Sequence, residues 1–198
     1  MTFEVTGSEQ RFSGRVVRLR SDRVVMPGGT IATRDIVEHP GAVGVLALDA
    51  EDRVVLLHQY RHAVGTRLWE IPAGLLDVAG EPAARTAARE LAEEAGLAAQ
   101  RWDVLLDALT SPGMTDEAVR IFLARETSAT TRPAAGDDEE ADMTLQWVPL
   151  EEAVARVLSG DIRNAMACLA LLAVSAWRAR GEPPLLPADA PWPERPGR

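Results

Sequence analysis

Apolar residues along the chain follow two patterns, and each pattern predicts its own kind of element. Short apolar-rich runs bounded by turn-forming residues predict β-strands at residues 16–19, 24–26, 31–37, 43–48, 54–58, 102–108, 119–124 and 143–149. Apolar residues spaced three and four apart predict helices at residues 82–95, 151–158 and 162–178. The chain of 198 residues is long enough for one main domain with a full core.

The pattern divides the chain into three regions. Residues 1–41 are predicted to form a small N-terminal β-sheet region, and residues 42–180 the main domain. Residues 181–198 form a proline-rich tail that cannot be helical and is predicted to be extended over the surface or loose. Three short strands are too few to bury a core alone, so the N-terminal sheet needs the main domain or a second copy of the chain.

Turn-forming residues give the expected connections between strands. Within the N-terminal region we predict turns at residues 21–22 and 27–29, after a polar segment at residues 1–12 that is expected to be poorly ordered at its start. In the main domain, residues 49–52 predict the turn of a hairpin between the strands on either side.

The helix predicted at residues 82–95 has clear signals at both ends. Pro82 suits the first helical position, and Gly96 suits the residue just past the end, where a left-handed conformation is favoured. We predict its apolar stripe to comprise Ala84, Ala88, Leu91 and Ala95. A stripe of mostly alanine allows close packing against the layer beneath.

Three glutamates share another face of this helix. Glu93 and Glu94 follow Glu90 by three and four residues, so each repels Glu90, at a cost on the order of 0.2–0.5 kcal/mol per pair. A divalent cation would remove the repulsion and gain hard oxygen ligands. The alternative from these residues alone is a solvated acidic face with no ligand.

The composition excludes several classes of function. The net charge is −9 and the pI is about 4.9, which argues against a nucleic-acid-binding surface. Cys168 is the only cysteine, so no intrachain disulfide or thiolate zinc site is expected. No apolar run is long enough to cross a bilayer and no secretory signal is recognisable, so we expect a cytoplasmic protein without membrane partners.

The stretch from Gly74 to Leu97 resembles the Nudix box. The box runs Gly, a loop, Glu, seven residues, Arg-Glu, an apolar residue, any residue, Glu-Glu, any residue, Gly and an apolar residue. The positions that match in register are Glu81, Arg89, Glu90, Leu91, Glu93, Glu94, Gly96 and Leu97. One departure exists, because six residues separate Gly74 from Glu81 where the family usually has five. We expect the extra residue to change the loop path and leave the glutamate face intact.

Further segments resemble the ADP-ribose pyrophosphatase group of this family. They are the Gln-Tyr-Arg run at 59–61, the Glu-Ile-Pro-Ala-Gly run at 70–74, and Pro112 after the box. The resemblance implies an α/β fold, the Nudix-type α/β/α sandwich with a mixed sheet, plus the small antiparallel N-terminal sheet. It also implies Mg²⁺- or Mn²⁺-dependent hydrolysis of ADP-ribose to AMP and ribose 5-phosphate, and a homodimer formed with help from the N-terminal sheet.

The resemblance also assigns roles to individual residues. The metal ligands would be the Ala73 carbonyl, Glu90 and Glu94, with Glu81 and Glu93 as supporting members of the box. Arg89 is expected to point away from the ligand pair and to orient carboxylates through ion pairs. The predicted catalytic base, also a metal ligand in some states, is Glu140 in the acidic loop at 127–141, with Glu139 as the alternative.

Substrate-binding residues are predicted before the box and at its first residue, Gly74. Arg61 is predicted to grip a phosphate, since a planar guanidinium suits that group, although it could be a plain surface arginine. Glu70 either binds substrate or braces the loop, and Gly74 permits a close turn there. His58 and His62 lack the spacing of a metal pair on one helix and are expected to be structural or exposed.

Two other functions stay open. The first is Nudix hydrolysis of another nucleoside diphosphate derivative, such as a nucleotide sugar or a dinucleotide, or of an oxidised nucleoside triphosphate. The second is a non-catalytic sensor that binds ADP-ribose. The acidic loop could also be a disordered loop without function.

Overall fold

The computed structural model describes residues 3–132 and 143–196. Within them the strands are β1 (Val5–Ser13), β2 (Arg18–Val25), β3 (Ile31–Glu38), β4 (Ala42–Ala47), β5 (Arg53–Arg61), β6 (Thr66–Glu70), β7 (Ala73–Leu75), β8 (Leu97–Leu109), β9 (Ala118–Ala129), β10 (Thr144–Pro149) and β11 (Leu186–Pro187). The helices are α1 (Ala83–Ala95), α2 (Leu150–Leu158) and α3 (Ala165–Ala179), and a short 3₁₀ turn covers His62–Val64.

The strands form three sheets. The largest has the order β11-β8-β9-β4-β7, in which β4 and β9 are parallel and the other neighbours are antiparallel. The second sheet has the order β10-β5-β6, and the third, at the N-terminus, has the order β1-β2-β3; both are antiparallel. The large sheet is therefore mixed, as predicted.

Side chains of β4 alternate between two apolar clusters, because successive residues of a strand point to opposite faces. Val43 and Val45 belong to the cluster that includes Leu91 of α1, whereas Leu46 belongs to the cluster that includes Leu171 of α3. The strand is buried along its whole length. A helix therefore covers each face, and the predicted α/β/α sandwich is confirmed.

The N-terminal sheet differs from the prediction in two places. No strand was predicted before residue 16, but β1 begins at Val5 and pairs with β2. Residues 21–22 were predicted to turn, but they lie inside β2 and are buried. Ser21 donates from Oγ to Asp35 at 2.6 Å, and Arg20 donates to Asp22 at 3.0 Å. These hydrogen bonds let short polar residues lie within a strand rather than a turn.

The prediction that β4 and β5 form a hairpin through residues 49–52 was wrong. A turn is present, and Leu48 forms a single antiparallel bridge with Val54, but β4 and β5 then enter different sheets. The reason is that each strand finds a longer partner elsewhere, β4 along β9 and β5 along β10.

The ends of the helices lie within three residues of the predicted ends, and the largest difference is the start of the third helix, predicted at 162. Gly96 has a φ of 64° and donates its N–H to carbonyls of the last turn of α1, as expected of a left-handed cap. Pro82 is the residue before α1 rather than its first member. The third helix begins at Ala165, after Asn164 accepts a hydrogen bond from the N–H of Ala167.

The tail is extended, as predicted, but it is not loose. Leu186 and Pro187 pair with β8, and Trp192 is only 2% exposed. The indole N–H of Trp177 donates to the carbonyl of Pro183 at 2.7 Å, which fixes the start of the tail on α3. None of the helices in residues 3–132 and 143–196 has the length and apolar character to cross a membrane.

Candidate active site

The buried stripe of α1 decides where its glutamates lie. Ala87 and Leu91 are fully buried, and Ala88, which was predicted in the stripe, is exposed. The stripe is therefore shifted by one residue at this turn. Glu94 continues the buried stripe towards β7, so one carboxylate of the predicted acidic face points into the protein.

Glu94 is held against β7. Its Oε2 accepts a hydrogen bond from the backbone N–H of Ala73 at 2.9 Å, and the residue is only 8% exposed. The pKa of Glu94 is raised to about 8, mainly by burial; the N–H of Ala73 opposes the shift and the nearby Glu90 contributes to it.

Glu90 contacts the next residue of the same strand. A Cβ placed on Gly74 would lie 2.1 Å from its Oε1, so the carboxylate fills the space beside the glycine. Burial raises the pKa of Glu90 to about 7, with Arg89 acting in the opposite direction. The two carboxylates thus converge on consecutive residues of β7, one turn of α1 apart.

Arg89 connects the other glutamates of the box. Its Nη1 donates to Glu90 at 2.7 Å and to Glu93 at 3.0 Å, and its Nη2 lies 3.4 Å from Glu81. The expected ion pairs are present, but Arg89 contacts Glu90 directly and does not point away from it. Glu81 also accepts from the hydroxyl of Thr86 at 2.9 Å, and this bond lowers the pKa of Glu81.

Arg61 and Glu70, predicted separately as substrate residues, bind each other. Nε and Nη2 of Arg61 donate to the two oxygens of Glu70 at 3.0 and 2.7 Å. Glu70 is 2% exposed and accepts a further hydrogen bond from Gln59 at 3.3 Å. Of the two roles considered for Glu70, the contacts are those of a brace. Both charges influence the pKa of Glu94, so this pair borders the carboxylates.

Glu139 and Glu140 lie outside the described residues. The described residues that flank this segment contact elements of the site. Arg132 donates from Nε to the carbonyl of Glu93 at 2.6 Å, and Thr144 pairs with His58 of β5. His58 stacks on Trp69 with the ring centroids 4.4 Å apart, as expected of a structural histidine.

A cavity of about 620 Å³ lies beside the loop that leads into α1. Segments from the N-terminal sheet, the loop before α1 and the tail line it, namely residues 14–16, 18, 38–40, 76, 78–80, 116, 195 and 196. The charged or titratable members are the basic Arg15, Arg18, His39 and Arg195 and the acidic Glu38 and Asp116. No pattern in the sequence indicated this cavity, because its walls come from distant parts of the chain.

Comparison with known proteins decides the family. A family model described as a NUDIX domain matches residues 38–168, more than half of the chain. The chain belongs to the Nudix family. Every position of the Nudix box described above lies within that match, so the predicted family is confirmed.

Individual relatives extend the comparison. The chain is 50% identical over 194 residues to a protein of Mycobacterium tuberculosis named ADP-ribose pyrophosphatase, covering 98% of this chain and 93% of the relative. It is 38% identical over 164 residues to a protein of Bacillus methanolicus named methanol dehydrogenase activator, covering 83% and 88%. A crystal structure described as an ADP compounds hydrolase superposes with a TM-score of 0.78 at 21% identity, covering 92% and 97%. That structure supports the fold.

The Nudix box supplies a donor set that fits a hard divalent cation. Glu90 and Glu94 offer carboxylate oxygens and β7 offers main-chain carbonyls, without histidine or cysteine among them. Among residues 3–132 and 143–196, no group of three or more His, Cys, Asp or Glu is arranged to hold a metal. The described part of this Nudix site therefore contributes a pair of carboxylates, and the third predicted carboxylate, Glu140, lies outside it.

Proposed function

We propose that this Nudix protein hydrolyses ADP-ribose to AMP and ribose 5-phosphate, with Mg²⁺ or Mn²⁺ as its cofactor. The observation that carries the chemistry is the convergence of Glu90 and Glu94 on Ala73 and Gly74. The choice of substrate is supported by the relative from Mycobacterium tuberculosis, whose likeness extends over nearly the whole of both chains.

The cation would be held by Glu90, Glu94, the carbonyl of Ala73 and Glu140. A divalent ion held by these residues would supply two effects, activation of a water molecule and polarisation of the phosphate that the water attacks. Oxygen ligands favour Mg²⁺ or Mn²⁺ over Zn²⁺, which more often has histidine or cysteine ligands.

One main-chain group and one side chain hold the two carboxylates in position for that task. The N–H of Ala73 fixes one oxygen of Glu94, and Arg89 fixes one oxygen of Glu90. Partners that orient ligands in this way commonly contribute about 10–100-fold to metal affinity.

In the proposed reaction, water attacks one phosphorus of the diphosphate, and the bond from that phosphorus to the bridging oxygen breaks. Glu140 accepts the proton of the attacking water, and the bridging oxygen leaves with the other phosphate. General-base assistance is typically worth about 10²–10⁴ in rate.

Two features support binding of an anionic nucleotide. Glu70 holds the guanidinium of Arg61 in one plane at the edge of the carboxylate pair, where it can donate to a phosphate. The cavity lined by Arg15, Arg18 and His39 has the size of a small-ligand site, and we assign the nucleoside end of the substrate to it.

The N-terminal sheet supports a homodimer. It exposes large apolar side chains, among them Val5, Phe12 and Ile31. A second copy of the chain would cover this surface, and light scattering at twice the monomer mass would agree with it. A cytoplasmic location is part of the same proposal, and fractionation of the source cells tests it.

The decisive experiment measures AMP and ribose 5-phosphate formed from ADP-ribose, with Mg²⁺ and with chelator, beside nucleotide sugars and dinucleotides. We expect cleavage of ADP-ribose with the highest kcat/KM of the panel, and none with chelator. Glu94→Gln keeps an acceptor for the Ala73 N–H but loses the charge, so its turnover should fall at least about 100-fold with the fold retained. Full turnover by this variant would refute the metal assignment.

A second function is hydrolysis of another nucleoside diphosphate derivative. The observation behind it is that a relative from Streptomyces rubellomurinus, 33% identical over 76% of this chain, is named as the hydrolase of a CMP-linked phosphonate. A higher kcat/KM for a nucleotide sugar or dinucleotide than for ADP-ribose would establish this alternative. Binding of ADP-ribose without any cleavage in the panel would instead identify a sensor.

A further inference from the structure

The last part of the chain, residues 186–196, lies across the large sheet and reaches the start of α1. We call it the C-terminal strap. It begins as β11, paired with β8, and it ends with Arg195 and Pro196 at the cavity beside the loop before α1. Ala188–Trp192 and Arg195 share a second, smaller cavity of about 230 Å³ with Pro82, Ala83 and Ala84. The strap and the first turn of α1 therefore face each other.

A buried arginine of β9 anchors the strap. Arg120 is 2% exposed and donates from Nε and Nη2 to both oxygens of Asp107, at 2.7 and 2.8 Å. It also donates to the carbonyls of Ala190 and Pro191, at 2.7 and 3.1 Å. A buried guanidinium needs hydrogen-bond partners for its five N–H groups, and the main chain of the strap supplies two of them.

Trp192 joins the strap to the helix that carries the glutamates. Its side chain is 2% exposed and belongs to the same apolar cluster as Ala87 and Leu91 of α1. The guanidinium carbon of Arg120 lies 4.9 Å from the centre of its ring, an attractive arrangement for a cation and an aromatic face. One arginine thus contacts both the main chain and the side chain of the strap.

Arg195 connects the strap to Glu81, just before α1. Its Nη2 donates to the main-chain carbonyl of Glu81 at 2.9 Å, across 114 positions of sequence. The carboxylate of the same Glu81 contacts Arg89, and Arg89 donates to Glu90. A continuous series of polar contacts therefore runs from the strap to a predicted metal ligand.

We propose that the C-terminal strap positions the metal-binding carboxylates, with Arg195 as a positioning residue that acts through Glu81 and Arg89. The inference rests on the proposed metal site. Gly80, next to Glu81, has a φ of 77°, and the loop before α1 contains the additional residue of this Nudix box. The hydrogen bond from Arg195 fixes the main chain of Glu81 at the end of that loop. The carboxylate of Glu81 is thereby held in position to contact Arg89.

The test is Mn²⁺ binding by the full-length, substrate-free protein, measured by electron paramagnetic resonance or calorimetry. Substrate is left out because Arg195 also lines the larger cavity. We expect Arg195→Ala to raise the Mn²⁺ dissociation constant by about tenfold, the low end of the effect of partners that orient ligands. Arg195→Lys can still donate to the Glu81 carbonyl and should bind Mn²⁺ nearly as well as the unsubstituted protein.

The matched control is Arg178→Ala, which removes an arginine paired with Asp52 on a different part of the surface. Its Mn²⁺ affinity should be unchanged, and the thermal unfolding midpoints of both alanine variants in chelator should be similar. Unchanged Mn²⁺ affinity in Arg195→Ala would overturn the role of the strap, as would an equal loss in Arg178→Ala. Failure of the unsubstituted protein to bind Mn²⁺ would instead overturn the proposed metal site itself.

Discussion

The carboxyl group of Glu90 lies where a side chain at Gly74 would have to be. A Cβ built on Gly74 would be 2.1 Å from Oε1 and 2.2 Å from Cδ of Glu90. The residue before it, Ala73, donates its N–H to Glu94. Gly74 is therefore needed for the close approach of a helix to a strand, and the two residues of β7 set the positions of both carboxylates.

We predict that Gly74→Ala displaces Glu90 and lowers Mn²⁺ affinity and kcat/KM by about 10–100-fold, the range seen when ligand geometry is disturbed. Circular dichroism should show a retained fold. Gly28→Ala is the matched control, because nothing lies within 4 Å of a Cβ at that position. Equal activity in the Gly74 and Gly28 variants would contradict the assignment of Glu90.

The stability of the metal-free protein should depend on pH. Burial raises the pKa of Glu90 to about 7 and that of Glu94 to about 8. In the unfolded chain both return to about 4.3, so the folded protein binds more protons than the unfolded one between about pH 5 and pH 8. The free energy of unfolding therefore falls as the pH rises through this window.

Urea unfolding in chelator at pH 5.5, 7 and 8 measures this dependence. Glu94→Gln removes one of the titrating groups, so its free energy of unfolding should fall less over the same range. Saturating Mg²⁺ should stabilise the protein most at the upper end, since the cation binds the ionised carboxylates. A metal-free stability that rises from pH 5.5 to pH 8 would be incompatible with the raised pKa values.

Arg61→Lys keeps the charge but loses the paired hydrogen bonds to Glu70. We expect the KM for ADP-ribose to rise about tenfold, equivalent to ~1.4 kcal/mol of binding, with a smaller change in kcat. Steady-state kinetics separates the two constants. Arg53→Lys, at the exposed start of the same strand, is the control and should behave as the unsubstituted protein. A fall in kcat with an unchanged KM would argue against a role for Arg61 in phosphate binding.

Glu140→Gln should lower kcat by about 10²–10⁴ with a much smaller effect on substrate binding, because a general base acts in the transition state. Glu139→Gln is the natural comparison, since the sequence leaves the choice between these neighbours open. Single-turnover hydrolysis of ADP-ribose measures the chemical step directly. A larger loss in Glu139→Gln would transfer the role of base to Glu139.

The local pattern was enough to predict α1, because its signals lie within a single stretch of sequence. Pro82 and Gly96 mark its ends, and the spacing of Glu90 and Glu94 puts them on one side whatever the helix packs against. The predicted apolar stripe included Ala88, whereas its neighbour Ala87 is the buried residue. Alanines occupy both positions, so the sequence pattern does not distinguish between them.

The partners of strands could not be predicted in the same way. The turn after β4 suggested a hairpin, yet β4 runs parallel to β9, more than seventy positions later. A strand such as β4, which is apolar on both faces, has to lie inside a sheet that is covered on both sides. Which strands become its neighbours therefore depends on the assembled sheet.

The sequence by itself determined the family, the acidic helix and the set of candidate metal-binding, substrate-binding and catalytic residues. Those features can be recognised from periodicity and motif spacing, because each lies within a short continuous stretch of sequence. Only the tertiary structure decided that Glu94 faces inward onto Ala73, that Arg61 and Glu70 form a pair, and that the tail returns to Glu81. These contacts join residues distant in sequence, so they depend on how the sheets and helices pack together.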